Sequence, residues 1–402
     1  VDSGKLRRAG MVVFVVVTLA IHGLVNFYIF RRGWQSLSGF PVFRLVLAIL
    51  FAGSFLAYPL GRIVLGVFKA AWSEVLVRFG SYHLALMLYL FMGVLLVDIF
   101  RLANAVVPFF PRFLTADPRR SGLVAFVVVF GISAGTVAVG AANAARPRIK
   151  DLEVAIDKSA GGRGDLTVVM VSDIHLGTTV RSRRLERIVE KINSLGPEIV
   201  LLAGDIVDES MPAREEEKLM AAFRDIDSPL GLVGVPGNHE FYSGLERNLA
   251  CLRKFGIRVL EDEAVVVGGF LVIAGRKDLS ALPRRAERMS IARILDRSGV
   301  DTGLPLILLD HQPFRLEEAE SAGVDLQLSG HTHAGQLFPL NLLNKRMYEQ
   351  YWGYLRKGQT HYYVSSGVST WGPPVRTGSV PEIVRIRLVF RGGEHGRGGV
   401  RE

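Results

Sequence analysis

Four long apolar runs crowd the first 145 residues of this 402-residue chain, at roughly 10–30, 42–60, 82–100 and 121–145. A helix needs about 20 apolar residues to cross the hydrocarbon core of a bilayer, and each run approaches or exceeds that length. The first follows Lys5, Arg7 and Arg8 like a signal peptide, but it is too long for one and has no small-residue cleavage pattern. An N-terminal region of four transmembrane helices, residues 1–145, is therefore expected, with the protein integral to a membrane. Segment 61–81 is apolar too, yet Arg62, Lys69, Glu74 and Arg78 argue for a helix lying in the interface. Gly131 and Gly135 form a small-xxx-small pair suited to close packing within the bundle. Asp98 and Arg101 are spaced to pair on one helix face, and His22 and Asn26 read as satisfied polar residues of the bundle.

Charge divides the chain at the same place. Residues 1–150 hold 16 Lys/Arg and 4 Asp/Glu, a net of +12, whereas the remaining residues hold 32 and 34, a net of −2. Basic residues flanking apolar spans meet anionic lipid head groups. An enzyme acting on nucleic acid would carry its basic patch on the catalytic part, so no nucleic-acid partner is expected. With four spans both flanks share one side, and nine basic residues there against seven opposite lean the C-terminal part toward the cytoplasm. Cys251 is the single cysteine, which excludes an intrachain disulfide and a cysteine-based zinc site.

After a linker and first strand (146–165), short apolar runs alternate with amphipathic helical patterns through residue 390, which argues for an α/β sheet covered on both faces. Strands are expected at 150–156, 166–171, 198–203, 232–235, 270–274, 304–309, 325–328, 361–364 and 382–389. Helices are expected at 183–195, 213–223 and 245–255. The Gly-rich tail, 391–402, has the composition of a disordered segment.

The chemistry-bearing residues fall where those strands end. Asp173 and His175 are two apart, so on extended backbone both point the same way and can grip one ion. Gly204-Asp205 puts a lone carboxylate after a glycine that lets the backbone come close. Gly237-Asn238-His239-Glu240 offers an amide oxygen and an imidazole, His311 follows the strand at 304–309, and His331 and His333 are again two apart. Each motif alone is a common turn. Together, five of the chain's nine histidines lie in motifs that follow one another at successive strand ends, and in an open sheet such ends converge on one crevice.

These motifs, with Gly330-His331-Thr332-His333, resemble the full set of the calcineurin-like metallophosphoesterases. The stretch from Tyr363 through Gly372-Pro373-Pro374-Val375-Arg376 to Ile383 is similar to a membrane-associated branch that includes UDP-2,3-diacylglucosamine pyrophosphatase-like proteins. The resemblance implies a two-sheet αββα sandwich and a metal-dependent phosphoric-ester hydrolase. It implies two divalent ions, one on Asp173, His175, Asp205 and His333, the other on Asp205, Asn238, His311 and His331, with His239 serving the leaving group. A mixed oxygen and imidazole set suits Mn²⁺ first, with Fe or Zn²⁺ next, rather than Mg²⁺.

The expected function is hydrolysis of a phosphoester or pyrophosphate bond in a membrane lipid or lipid-linked substrate. Phe338, Tyr348, Tyr351, Trp352, Tyr354 and Trp371 interleave with cations, and Arg376, in a loop after two prolines, is the expected phosphate contact. The alternatives are a nuclease or cyclic-nucleotide phosphodiesterase, a non-catalytic metal-dependent membrane sensor or scaffold, and a transporter with a phosphatase domain. Substrate and oligomeric state are not readable from these residues.

Overall fold

The computed structural model describes residues 3–68, 72–112, 116–208, 213–281 and 287–392. The chain forms two compact units, Val1–Gly140 and Ala141–Glu402. In the first unit and its exit run α1 (Ser3–Ser36), α2 (Pro41–Phe68), α3 (Ser73–Val106) and α4 (Pro118–Ala144). All four contain stretches long and apolar enough to cross a membrane.

Three expectations for this unit change. Residues 61–68 continue α2 and residues 73–81 open α3, while 69–71 lie outside the described residues. The apolar runs simply extend as longer helices, so no separate interfacial helix forms there. Asp98 pairs across to α1, 2.7 Å from an Arg32 nitrogen and accepting from the Tyr28 hydroxyl at 2.5 Å, rather than along its own helix with Arg101. A Cβ on Gly131 or Gly135 would meet nothing within 4 Å, so the close approaches occur elsewhere, at Gly93 against Val129 and Gly80 against Tyr58. His22 and Asn26 are satisfied as expected: Asn26 donates to the His22 carbonyl at 2.8 Å and its Oδ1 lies 3.0 Å from His83 Nε2.

In the second unit the elements run β1 (Arg148–Ile156), β2 (Asp165–Val171), α5 (Ser182–Asn193), β3 (Ile199–Ala203), α6 (Ala213–Met220) and β4 (Leu232–Val235). They continue with α7 (Asn238–Ser243), α8 (Leu245–Lys254), β5 (Ile257–Val259), β6 (Glu263–Val267), β7 (Leu271–Gly275), α9 (Ile291–Ser298) and β8 (Leu306–Leu309). The last are α10 (Glu317–Ser321), β9 (Leu326–Ser329), α11 (Leu340–Met347), β10 (Gly353–Lys357), β11 (Thr360–Val364) and β12 (Glu382–Phe390). The expected tail falls outside the described residues from 393 onward.

Two six-stranded mixed sheets form, in the orders β1-β12-β2-β3-β4-β5 and β10-β11-β9-β8-β7-β6. The expected linker-and-first-strand segment thus supplies an edge strand, parallel to β12. Between the sheets lies an apolar core that includes Met170, Leu201, Val235, Ile273, Leu309, Leu328 and Ile386. A second cluster packs α5 and α8 on the outer face of the first sheet, and a third packs α9 and α10 on the second. Sheets covered on both faces explain why β3 reads IVLLA and β8 reads LILL, with no polar alternation. Helix α5 shows the complementary pattern: Leu185, Ile188, Val189 and Ile192 are buried, and its arginines and glutamates lie between them.

Candidate metal centre

Parallel strands β2, β3, β4, β8 and β9 end on one side of the sandwich, and the residues just past those ends form the site. The backbone there is bent into the left-handed region at Asp173 (φ 54°), His175 (52°), Asp205 (51°), His331 (71°) and His333 (48°). Such backbone is costly for a non-glycine residue and is held only where the surroundings over-determine it. Here the surroundings are the two sheets. Glycines allow the loops to close: a Cβ on Gly204 would stand 2.5 Å from His311 Nδ1, and one on Gly330 would stand 2.4 Å from Asp173 Oδ2.

All seven expected ligand residues come together. In one half, His175 Nε2 and His333 Nε2 face each other at 3.0 Å, and His333 Nε2 lies 3.5 Å from Asp173 Oδ1. In the other half, Asn238 Oδ1 lies 2.8 Å from His331 Nδ1 and 3.2 Å from His311 Nε2. Asp205 Oδ2 stands between the halves, 3.8 Å from His175 Nε2 and 3.1 Å from His311 Nε2. Two ligand atoms each about 2.1 Å from one ion are about 3.0–3.4 Å apart at octahedral or tetrahedral angles. Nearly all of these separations lie close to that edge, so the donor set fits bound metal, and Asp205 is the carboxylate between its two halves. Asp173 and His311 are fully buried, and His175 and Asp205 nearly so. An unpaired cluster of that charge would be costly to bury.

The carboxylates divide electrostatically. Burial alone would raise the Asp205 carboxyl, but the imidazoles of His311, His175 and His239 together outweigh it and hold Asp205 well below the usual carboxylate range. Burial wins at Asp173, whose carboxyl is raised despite His311 and His175. Asp208 was not singled out in the sequence, yet its Oδ1 lies 2.6 Å from His239 Nδ1 and 3.3 Å from His175 Nδ1. Burial raises Asp208, and the two imidazoles more than reverse it, so it is held well below its ordinary value. The signal was present: a carboxylate three residues after Asp205 on the same loop. Glu240, quoted only as part of a motif, is fully buried and accepts from the Val207 and Gly237 amides, both at 2.7 Å. Burial, then Asp205, pushes its carboxyl up to about 7.

His239 is partly open, edge-on to the rings of Tyr242 and Trp371 at 5.7 and 5.8 Å. Arg376 is not where the sequence reading put it. Its side chain is 1% exposed and donates to the Ser366, Gly367 and Ser369 carbonyls and to Ser379 Oγ, with His333 Nδ1 at 3.2 Å. A guanidinium so enclosed has no face left for a substrate phosphate. It braces the 366–369 loop, which packs behind Asp173 through the Val368 and Ser369 amides.

Fold and site together define a metal-dependent phosphoesterase. Residues 166–335 match the family described as calcineurin-like phosphoesterase. An uncharacterised metallophosphoesterase of Campylobacter jejuni is 30% identical over 94% of this chain and 98% of its own length. One from Helicobacter pylori J99 is 36% identical over 61% of the chain, which spans 65% of that relative. A zebrafish transmembrane protein with a metallophosphoesterase domain is 34% identical over 65% of the chain and 62% of its own length. The chain belongs to the calcineurin-like phosphoesterase family.

Proposed function

We propose that the protein is a membrane-anchored phosphoesterase with a dinuclear metal centre, acting on a phosphoester or pyrophosphate bond of a lipid-linked substrate. Metal ions held by the seven ligand residues would supply Lewis acidity toward the phosphoryl oxygens and the attacking water. Mn²⁺ remains the first expectation for this donor set, with Fe or Zn²⁺ the alternatives. The chain's own groups do the rest. Asp173, His175 and His333 shape one half of the cradle, and Asn238, His311 and His331 shape the other. Asp205 spaces the halves. Asp208 accepts from His239 Nδ1; carrying a second proton on Nε2, the ring would give that proton or a hydrogen bond to the departing oxygen.

One observation carries the lipid reading. The rings that flank His239 are exposed aromatics, Tyr242 at 71% and Trp371 at 56%, so the leaving-group side of the site is apolar. A nucleic-acid strand would instead meet cations along its backbone; a nucleotide base, which stacks on aromatic rings, is the competitor that the test separates. The test compares acylated and deacylated forms of one phosphorylated head group in mixed micelles with Mn²⁺-loaded protein. Higher kcat/KM for the acylated form is expected, and equal values refute a lipid substrate. Trp371→Ala should shrink the preference.

A further inference from the structure

The helix that follows the last metal-site histidine is built inside out. In α11 the residues turned toward the domain are polar: Asn344 Nδ2 donates to the Thr332 carbonyl at 2.6 Å, and Asn341 packs so tightly that a Cβ on Gly335 would stand 2.2 Å from its Cα. The apolar residues face outward. Leu340, Leu342, Leu343 and Met347 are 41%, 58%, 58% and 66% exposed, and no residue of the helix is buried. The same sequence could have buried most of its apolar residues by turning about a third of a revolution. It turns two half-buried asparagines inward instead, leaving Asn341 Oδ1 without a hydrogen-bond partner. Exposed Phe338 precedes the helix, and Gln336 ties this segment to exposed Trp371 by donating to its carbonyl and accepting from its amide at 3.0 Å each.

Charge identifies what covers this face. Lys345 and Arg346 are exposed in the last turn, beside the leucines, and the helix contains no acidic residue. A short helix with an apolar stripe edged by cations is suited to the head-group boundary of a bilayer carrying anionic lipid. The chain carries its own membrane-spanning helices, so a bilayer is always within reach of the second unit. We propose that α11, with Phe338 and Trp371, is a bilayer-docking surface that seats the catalytic unit on anionic phospholipid. It does not depend on what the enzyme cleaves, since docking needs no lipid to enter the metal site.

The full chain with Cys251→Ala is reconstituted in phosphatidylcholine vesicles with or without phosphatidylglycerol. An environment-sensitive fluorophore is placed at Leu342→Cys and, as control, at Lys254→Cys on α8. Shallow nitroxide-labelled lipids should quench the probe at 342 strongly and at 254 little, and phosphatidylglycerol should increase the difference. Lys345→Gln and Arg346→Gln should each lower the docked fraction's ratio to undocked by roughly fivefold, the worth of one cation near an anionic surface. A probe at 342 that is water-exposed, quenched no more than at 254, or shielded by a second copy of the chain (read by cross-linking) overturns the proposal. Hydrolysis of a water-soluble nitrophenyl ester, unchanged in the charge variants, shows that the site remains folded.

Discussion

Asp208 Oδ1 sits 2.6 Å from His239 Nδ1, a charge-assisted contact at the rim of the metal centre. The carboxylate fixes the ring plane and accepts from Nδ1. His239→Ala should keep both metals while slowing turnover about 10²–10⁴-fold, the usual worth of a general acid. The loss should shrink for nitrophenyl esters, whose leaving groups need no proton. Asp208→Ala should cost about 10–100-fold, as for other partners that orient a functional imidazole. Metal analysis alongside kinetics checks both, and metal lost with the His239 side chain would assign that residue to the ligand set.

Asp205 is the one carboxylate placed between the halves. Asp205→Asn should lower metal content below that of any other single ligand variant, measured by elemental analysis against an expected two ions per chain. Chelation should abolish activity. It should also destabilise the second unit, since ions bound at 1,000 times their dissociation constant add about 4 kcal/mol each. Retained activity in excess chelator would refute a metal-dependent reaction.

Gly204 leaves no room for a side chain. At φ +86°, a Cβ would stand 2.5 Å from His311 Nδ1. Gly204→Ala should therefore cost about 1–2 kcal/mol from the backbone alone and push His311 from its place. Metal content should fall from two toward one, with the Asp173–His333 half still loaded.

Arg376 is predicted to act on metal retention and stability rather than on substrate affinity. Removing it would leave several buried carbonyls without donors, at about 1–3 kcal/mol for each one left unsatisfied. Arg376→Met should lower the melting temperature and the occupancy of the Asp173–His333 half. Arg376→Lys should rescue poorly, because an ammonium lacks the planar fork that reaches several carbonyls at once. A raised KM with full metal content would restore the original phosphate-contact reading.

The contrast at Arg376 shows what the sequence could reveal. Asp173, His175, Asp205, Asn238, His311, His331 and His333 were legible because they come together where strand ends in a parallel sheet converge; the extended backbone expected at the 173/175 pair does not form, since both residues, like His331 and His333, are left-handed. Most strands were legible for a related reason: runs such as IVLLA have no helical period. The edges were not. Strands β5, β6 and β10 are short or partly solvated, and β10 alternates half-buried with exposed residues around charges. Arg376 was misread because a cation after two prolines looks like an open loop, while the 366–369 segment just upstream folds back and encloses it with its carbonyls, and His333 closes the far side. Helix α11 was missed because a leucine pattern predicts a buried face, and this one turns outward.

The pairing of β1 with β12 has a consequence for how the molecule is made. In the first sheet β12 lies between β1 and β2, parallel to one and antiparallel to the other. The two strands nearest the spans in sequence therefore do not pair with each other: β1 and one edge of β2 wait for a partner more than 200 residues downstream, while the other edge of β2 pairs β3. Such long closures are slow, and during synthesis they are unavailable until the ribosome has released residue 390. Until then the edge of β2, the strand that leads to Asp173, stands open to any passing strand. Ribosomes stalled before residue 380 should display a protease-sensitive, aggregation-prone chain already threaded into the membrane, so chaperone demand should peak late in translation.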